Sequence, residues 1–226
     1  MTDQTDPGRR LLEAIVAGDA GLVEAILAAH PAAAAVRSDE GVSALMLAHY
    51  HGRRELAPAI RAALPALDVH EAATVGAVDR LRALLDAAPE LVRDRSADGF
   101  TALHFAAFFG DAPAAAVLLD RGADPAAVAG NPLRVTPLHS AAAARNLAVA
   151  RLLLEHGADP EARENGGYRP LHTVADNGED ALVDLLLSFG ADPTAAADDG
   201  RTPADVAREK GHDRLAARLE EGREHR

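Results

Sequence analysis

Cysteine and tryptophan are absent from this chain, and their absence rules out whole classes of structure. With no thiol there is neither a disulfide framework nor a cysteine-ligated zinc site, and a reducing, cytoplasmic setting suits such a chain. Long apolar runs are missing too: none approaches the roughly 18 residues of a membrane helix. The apolar stretch at residues 11–17 is short, broken by Glu13 and without a basic leader, so a soluble protein without a secretion signal is expected. Lysine is reduced to Lys210, with arginine supplying every other strong base, a bias that reflects GC-rich, bacterial coding rather than a binding design. Acidic side chains outnumber these bases by 35 to 23, for a net charge of −12. Such a chain repels phosphate backbones, which excludes nucleic acid as a partner. Its acidity steers instead toward a protein partner with a basic patch.

Catalytic and metal motifs are equally scarce. There is no phosphate loop, no Gly-x-Ser-x-Gly elbow, no His-Glu-x-x-His and no calcium loop. His139 and Ser140 are neighbours in sequence, but adjacent residues of a helix do not face one another. His49 and His51, two apart, diverge on a helix for the same reason, which argues against chelation by that pair. No catalytic residue, metal or cofactor is expected.

What the chain does have is recurrence. Four segments share one phrase: Thr101-Ala102-Leu103-His104, Thr136-Pro137-Leu138-His139, Arg169-Pro170-Leu171-His172 and Thr202-Pro203-Ala204-Asp205. Their third residues, at 103, 138, 171 and 204, are spaced by 35, 33 and 33. A second phrase keeps the same beat, with Gly122-Ala123-Asp124-Pro125, Gly157-Ala158-Asp159-Pro160 and Gly190-Ala191-Asp192-Pro193 each following an apolar run. Thr-Pro opens a helix, because proline's fixed φ is tolerated in the first turn and threonine can cap it. The glycine closes a second helix in a left-handed conformation that only glycine adopts without strain.

These phrases resemble the ankyrin repeat, whose period is about 33 residues. The resemblance is specific over residues 96–216 and looser back to residue 9, and it implies an all-α solenoid of helix–turn–helix units joined by hairpins. The glycines closing first helices (Gly18, Gly52, Gly76, Gly110, Gly178 and Gly211, with Arg145 in the remaining place) extend the reading to seven units. These span about residues 9–41, 42–65, 66–99, 100–134, 135–167, 168–200 and 201–222, between a flexible N-terminus at 1–8 and a tail at 223–226. At Arg145-Asn146 the asparagine is expected to take the left-handed turn. The step from Gly52 to Gly76 is only 24, so the second unit has no room for a full hairpin and should be a weak joint. The loop at 128–135 is long by about two residues. His70, His104, His139 and His172 are read as one structural row, in which each imidazole bonds the backbone of an adjoining turn. Asp124, Asp159 and Asp192 are read as loop-stabilising acids.

The resemblance also implies a binding surface on the concave side, formed by hairpin residues and by the two residues before each first-helix glycine. Those positions are Tyr50 and His51, Thr74 and Val75, Phe108 and Phe109, and Asp176 and Asn177, with Phe100 and Tyr168 on the hairpins. Only 5 Phe and 2 Tyr exist in the whole chain, and five of these seven fall on this surface. Aromatic concentration of that kind marks an interaction hot spot. The expectation is a non-catalytic protein-binding module, monomeric by default. The alternative is a regulator that takes a small ligand or a metal through His49, His51, His70 and the Phe108–Phe109 groove.

Overall fold

The computed structural model describes residues 6–221. Among them stand fourteen α-helices in seven successive pairs. The first three pairs are α1 (Pro7–Ala17) with α2 (Ala20–Ala29), α3 (Ala44–Tyr50) with α4 (Ala57–Ala63), and α5 (Val69–Thr74) with α6 (Val78–Ala87). The next two are α7 (Ala102–Phe108) with α8 (Ala112–Asp120) and α9 (Pro137–Ala143) with α10 (Leu147–Glu155). The last two are α11 (Pro170–Asn177) with α12 (Asp180–Ser188) and α13 (Pro203–Glu209) with α14 (Asp213–Glu221). First helices pack on first helices and second on second, which builds the all-α solenoid that the repeats predict. Helix α1 is capped by Asp6, whose carboxylate accepts from the N–H groups of Gly8 and Arg9, so helix begins inside the segment assigned to a flexible terminus. The rest of that terminus, residues 1–5, and the predicted tail at 223–226 lie outside the described residues.

Leucines at one place in the repeat carry the core. Leu11, Leu45, Leu103, Leu138 and Leu171 are each at most 1% exposed, wedged between neighbouring first helices. Alanine occupies many of the other inner positions, which lets the helices approach closely where bulkier residues would hold them apart. Each second helix of the regular units stops where the sequence places glycine, with φ of 83° at Gly122, 88° at Gly157 and 91° at Gly190. The missing glycine at position 145 has a different outcome from the one expected. Arg145 itself takes the left-handed conformation, at φ 57°, and Asn146 serves as N-cap of α10, accepting from the Val149 N–H. An arginine pays a steric cost there, partly offset by its ion pair to Glu179 at 3.2 Å. Gly110 departs from its counterparts in the other direction. Its φ is not left-handed; what demands glycine is proximity, since a Cβ would sit 2.6 Å from the carbonyl oxygen of Ala73.

The stack is uneven. Between α3 and α5 the first-helix layer makes its thinnest contact, and α4 and α6 scarcely meet. The cause is length: α4 ends at Ala63, and only residues 64–68 separate it from α5. No hairpin fits. Pro58 sits in the first turn of α4, where its missing N–H breaks no bond in the preceding helix. Into the gap opens a cavity of about 690 Å3, lined on one side by Pro58 and Arg61 of α4 and by Arg54 of the short 3-10 turn that leads into it, and on the other by Thr74, Gly76 and Asp111. Few ties cross this seam; one is the Arg37–Asp68 ion pair at 2.7 Å.

In a solenoid each unit is held mainly by its neighbours, so this joint sets the stability of everything before it. Native-state hydrogen exchange should show the amides of α1 to α4 exchanging at lower opening free energy than those of α9 and α10. Equal protection in the two blocks would mean that the seam is not a weak joint.

Candidate functional site

The histidine at the fourth place of the repeat is a two-ended link. Thr101 donates to His104 Nδ1 from both its N–H, at 3.3 Å, and its hydroxyl, at 2.8 Å. Thr136 does the same to His139 Nδ1, at 3.2 and 2.9 Å, and the Arg169 N–H donates to His172 Nδ1 at 3.2 Å. Because Nδ1 accepts, the proton sits on Nε2, which is free to donate forward. His104 Nε2 donates to the Val135 carbonyl and His172 Nε2 to the Arg201 carbonyl, both at 3.1 Å, tying each unit to the next hairpin. His139 Nε2 makes no hydrogen bond, although the Tyr168 carbonyl lies close enough to offset part of its desolvation.

His70 does not belong to this row in full. Helix α5 starts one residue late, and its cap is closed by Asp68 and Glu71: Asp68 N–H donates to Glu71 at 3.0 Å and Glu71 N–H to Asp68 at 2.8 Å. His70 keeps only a forward bond, to the Asp94 carbonyl at 3.3 Å. In α13 Asp205 replaces histidine, and its carboxylate accepts from the N–H and hydroxyl of Thr202 at 2.9 and 2.6 Å. A carboxylate can fill the capping half of the role but has no proton to pass forward.

Beside this row lies a groove enclosing about 640 Å3, lined by Tyr50, Phe100, Phe105, Phe108, Phe109, Leu133 and Val135, with His49, Arg54, His104, His139, Ser140, Glu164 and Thr173 as polar members. Its aromatic rings form one connected cluster. Phe108 meets Phe109 edge-on at 4.6 Å, Tyr50 lies 5.7 Å from Phe109 and 6.4 Å from Phe105, and Phe100 lies 5.8 Å from Phe105. Tyr50 therefore reaches across the third unit, which offers only Thr74 and Val75 at the matching positions. Its hydroxyl donates to Asp98, and burial together with that carboxylate holds its pKa well above the ordinary value. Phe108 is 40% exposed, Tyr50 38% and Leu133 57%, whereas Phe100 and Phe109 are half-buried against the core.

Leu133 owes its place to the long loop. Asn131 donates from Nδ2 to the Asp98 carbonyl at 2.9 Å and accepts from the Leu133 N–H at 3.1 Å. Asn165 N–H then donates to the Leu133 carbonyl at 3.0 Å. Pinned on both sides, the loop holds Leu133 over the groove.

Two comparisons with known families fit this architecture. Residues 69–164 match a model described as ankyrin repeats in three copies, and residues 153–207 match one described as ankyrin repeats in many copies. The chain belongs to the ankyrin repeat family. No curated protein matches it in sequence. Ankyrin repeats are in general protein-interaction modules, and among the described residues of this ankyrin protein no helix is long and apolar enough to cross a membrane.

The sequence-derived surface residues of the ankyrin stack fall into three groups. Tyr50, Phe100, Phe108 and Phe109 share the groove. Val75 and Thr74 line the neighbouring cavity at the seam, where Thr74 is buried and donates its hydroxyl to the His70 carbonyl at 2.8 Å. Tyr168, Asp176 and Asn177 line neither space and are tied within the chain. Tyr168 donates to Asp199 at 2.6 Å beneath the Arg201 guanidinium, Asp176 pairs with Lys210 at 2.9 Å, and Asn177 donates to the Ala142 carbonyl at 3.1 Å. His51 caps α3 and is exposed. His49 is buried, bonded through Nδ1 to the Leu45 carbonyl at 2.9 Å. Among the described residues no group of three or more histidines and acids is placed to hold a metal ion. Leu133, Glu164 and Thr173 join the groove without having been singled out in the sequence, where the only signal for any of them is the two extra residues of the loop, and Ser140 joins it although it was set aside there as a neighbour of His139.

Burial holds both His104 and His139 at a pKa of about 4, against the partial relief given by the carbonyls of Val135 and Tyr168. Burial lowers His172 as well. In the unfolded chain these groups titrate near 6.5, so the folded state binds fewer protons below that pH. The contribution of His104 and His139 is complete above about pH 6.5 and is lost as pH falls toward 4, at about 1.4 kcal/mol per pH unit for each of the two, and His172 acts in the same direction. Urea denaturation at pH 7.5, 6 and 5 should show this fall, and the His104→Gln/His139→Gln double variant should flatten it. Wild-type stability that stays level from pH 7 to 5 would contradict the neutral-imidazole link.

Proposed function

We propose that this ankyrin protein is a non-catalytic binding module whose partner protein docks on the aromatic groove. The observation that carries the reading is the exposure of Phe108, Tyr50 and Leu133 around a single space, in a chain with few aromatics to spend. Large apolar side chains left in solvent cost nothing only when they are scattered, and these are contiguous. Behind them Phe109, Phe100 and Phe105 form a rigid backing, so a partner meets a preformed surface and loses little to ordering it. His51 and Val75 extend the docking surface at its N-terminal end. Tyr168, Asp176 and Asn177 form a polar rim at the C-terminal end that sets orientation.

The two phenylalanines should separate cleanly. Phe108→Ala should leave the melting temperature within a few degrees of wild type and weaken partner binding by about 2 kcal/mol or more, as for an interface anchor. Phe109→Ala should instead destabilise the fold, by about 2 kcal/mol, less than for a fully buried phenylalanine because the ring is only half-buried. Affinity capture from the native organism with wild-type and Phe108→Ala baits, followed by titration of the proteins lost from the variant, measures the first effect. An identical captured set for both baits would sink the reading.

A further inference from the structure

Glu164 is an acid without an assignment. It stands in the hairpin that follows α10, half-buried, and it lines the groove beside Leu133, Val135 and Thr173. Its flanking residues are satisfied: Glu161 pairs with Arg169 at 3.0 Å, and Arg163 pairs with Asp198. Its own backbone closes the hairpin, donating to the Tyr168 carbonyl at 2.9 Å and accepting from the Gly167 N–H at 3.0 Å. The Glu164 carboxylate, by contrast, makes no ion pair and no hydrogen bond among the described residues. Neither Arg134, in the loop opposite, nor Arg54, which lines the same groove, pairs with it. Burial alone acts on its pKa, raising it.

A carboxylate withdrawn from water with no partner lowers stability and is normally compensated by a paired base. Here the compensation is missing inside the chain and the open side of the residue is the groove. We infer that Glu164 is a specificity-determining residue that receives a lysine or arginine side chain of the docked partner, whose neighbouring large apolar residue enters the hollow between Phe108 and Leu133. This rests on the groove being the docking surface, and it names the chemistry of the occupant: a short apolar-and-basic protein segment. Charge complementarity selects that occupant over others. A second copy of a chain with net charge −12 would bring its own excess of acid to the same place. A neutral apolar molecule would leave the carboxylate as it is.

Panning a random 12-residue peptide display library against the full chain tests the inference. Enriched peptides should share a large apolar residue with Lys or Arg at a constant offset. Glu164→Gln should weaken those peptides about tenfold or more while raising the melting temperature, because the uncompensated charge is gone. Glu164→Lys should restore binding to peptides in which the base is changed to Glu, a rescue that a merely structural role would not give. Enriched peptides lacking a base, an unchanged affinity in Glu164→Gln, or a marked loss of stability in that variant would each overturn the assignment while leaving the groove a docking surface. A dimer in sedimentation that Phe108→Ala abolishes, or an apolar small molecule extracted from the purified protein, would place a different occupant in the groove and overturn it as well. Absence of any enriched peptide would overturn both the assignment and the protein-docking reading of the groove.

Discussion

A buried imidazole that must stay neutral is the piece on which the regular part of this solenoid hangs. It accepts from the start of its own helix through Nδ1 and offers its only proton to the next hairpin through Nε2, as His104 and His172 do. One side chain thereby settles where a helix begins, which tautomer it holds and how far away the following unit sits. The arrangement opposes charge: a second proton on Nδ1 would face the Thr101 N–H, a donor that cannot turn away. Burial supplies the required neutrality, and the row reinforces itself, since His104 and His172 both oppose protonation of His139 between them. Position 139 is also where the link is slack, and that slack lies on the wall of the groove.

Where the histidine link does not operate, aromatic rings take over. The second unit lacks both the hairpin and the fourth-place histidine, and α5 closes its cap with a carboxylate pair instead. Tyr50 bridges the gap by packing its ring, tilted, against Phe105 and Phe109 and by bonding Asp98 in the hairpin before α7. The rings therefore have two roles at once. Their inner members stabilise a stack that is short of ordinary contacts, and their outer faces leave an apolar surface uncovered. A partner that buries Tyr50 would reinforce the joint from outside, so docking and local stability are coupled through one side chain.

The repeats made the fold legible, because each phrase states a local physical need: threonine for a cap, proline for a first turn, glycine for a left-handed stop. Seven pairs of helices follow from those words alone, and so does the thin seam implied by the short step between Gly52 and Gly76. Where the words are worn the reading slipped. Arg145 rather than Asn146 takes the left-handed turn, since the backbone position and not the more tolerant residue decides which one must. His70 counts as a member of the row when measured from Gly76 but not when measured from its cap, because α5 is a residue short at its start. The groove was half legible. Repeat position marks Tyr50, Phe108 and Phe109, but Leu133 and Glu164 come from hairpin segments whose direction depends on contacts far along the chain, such as that of Asn165 with the Leu133 carbonyl. Likewise nothing in the letters shows that Tyr168, Asp176 and Asn177 are engaged by Asp199, Lys210 and Ala142.

The seam between α3 and α5 also gives the molecule a mechanical character. A rod of stacked plates with one compliant joint bends there before it bends anywhere else, and the direction is biased by what spans the joint. The Tyr50–Asp98 bond runs along the groove side and acts as a check strap: splaying that side apart must stretch it. The first two units thus hang on a stiffer stack through two polar straps, the Tyr50 phenol on Asp98 and the Arg37 guanidinium on Asp68.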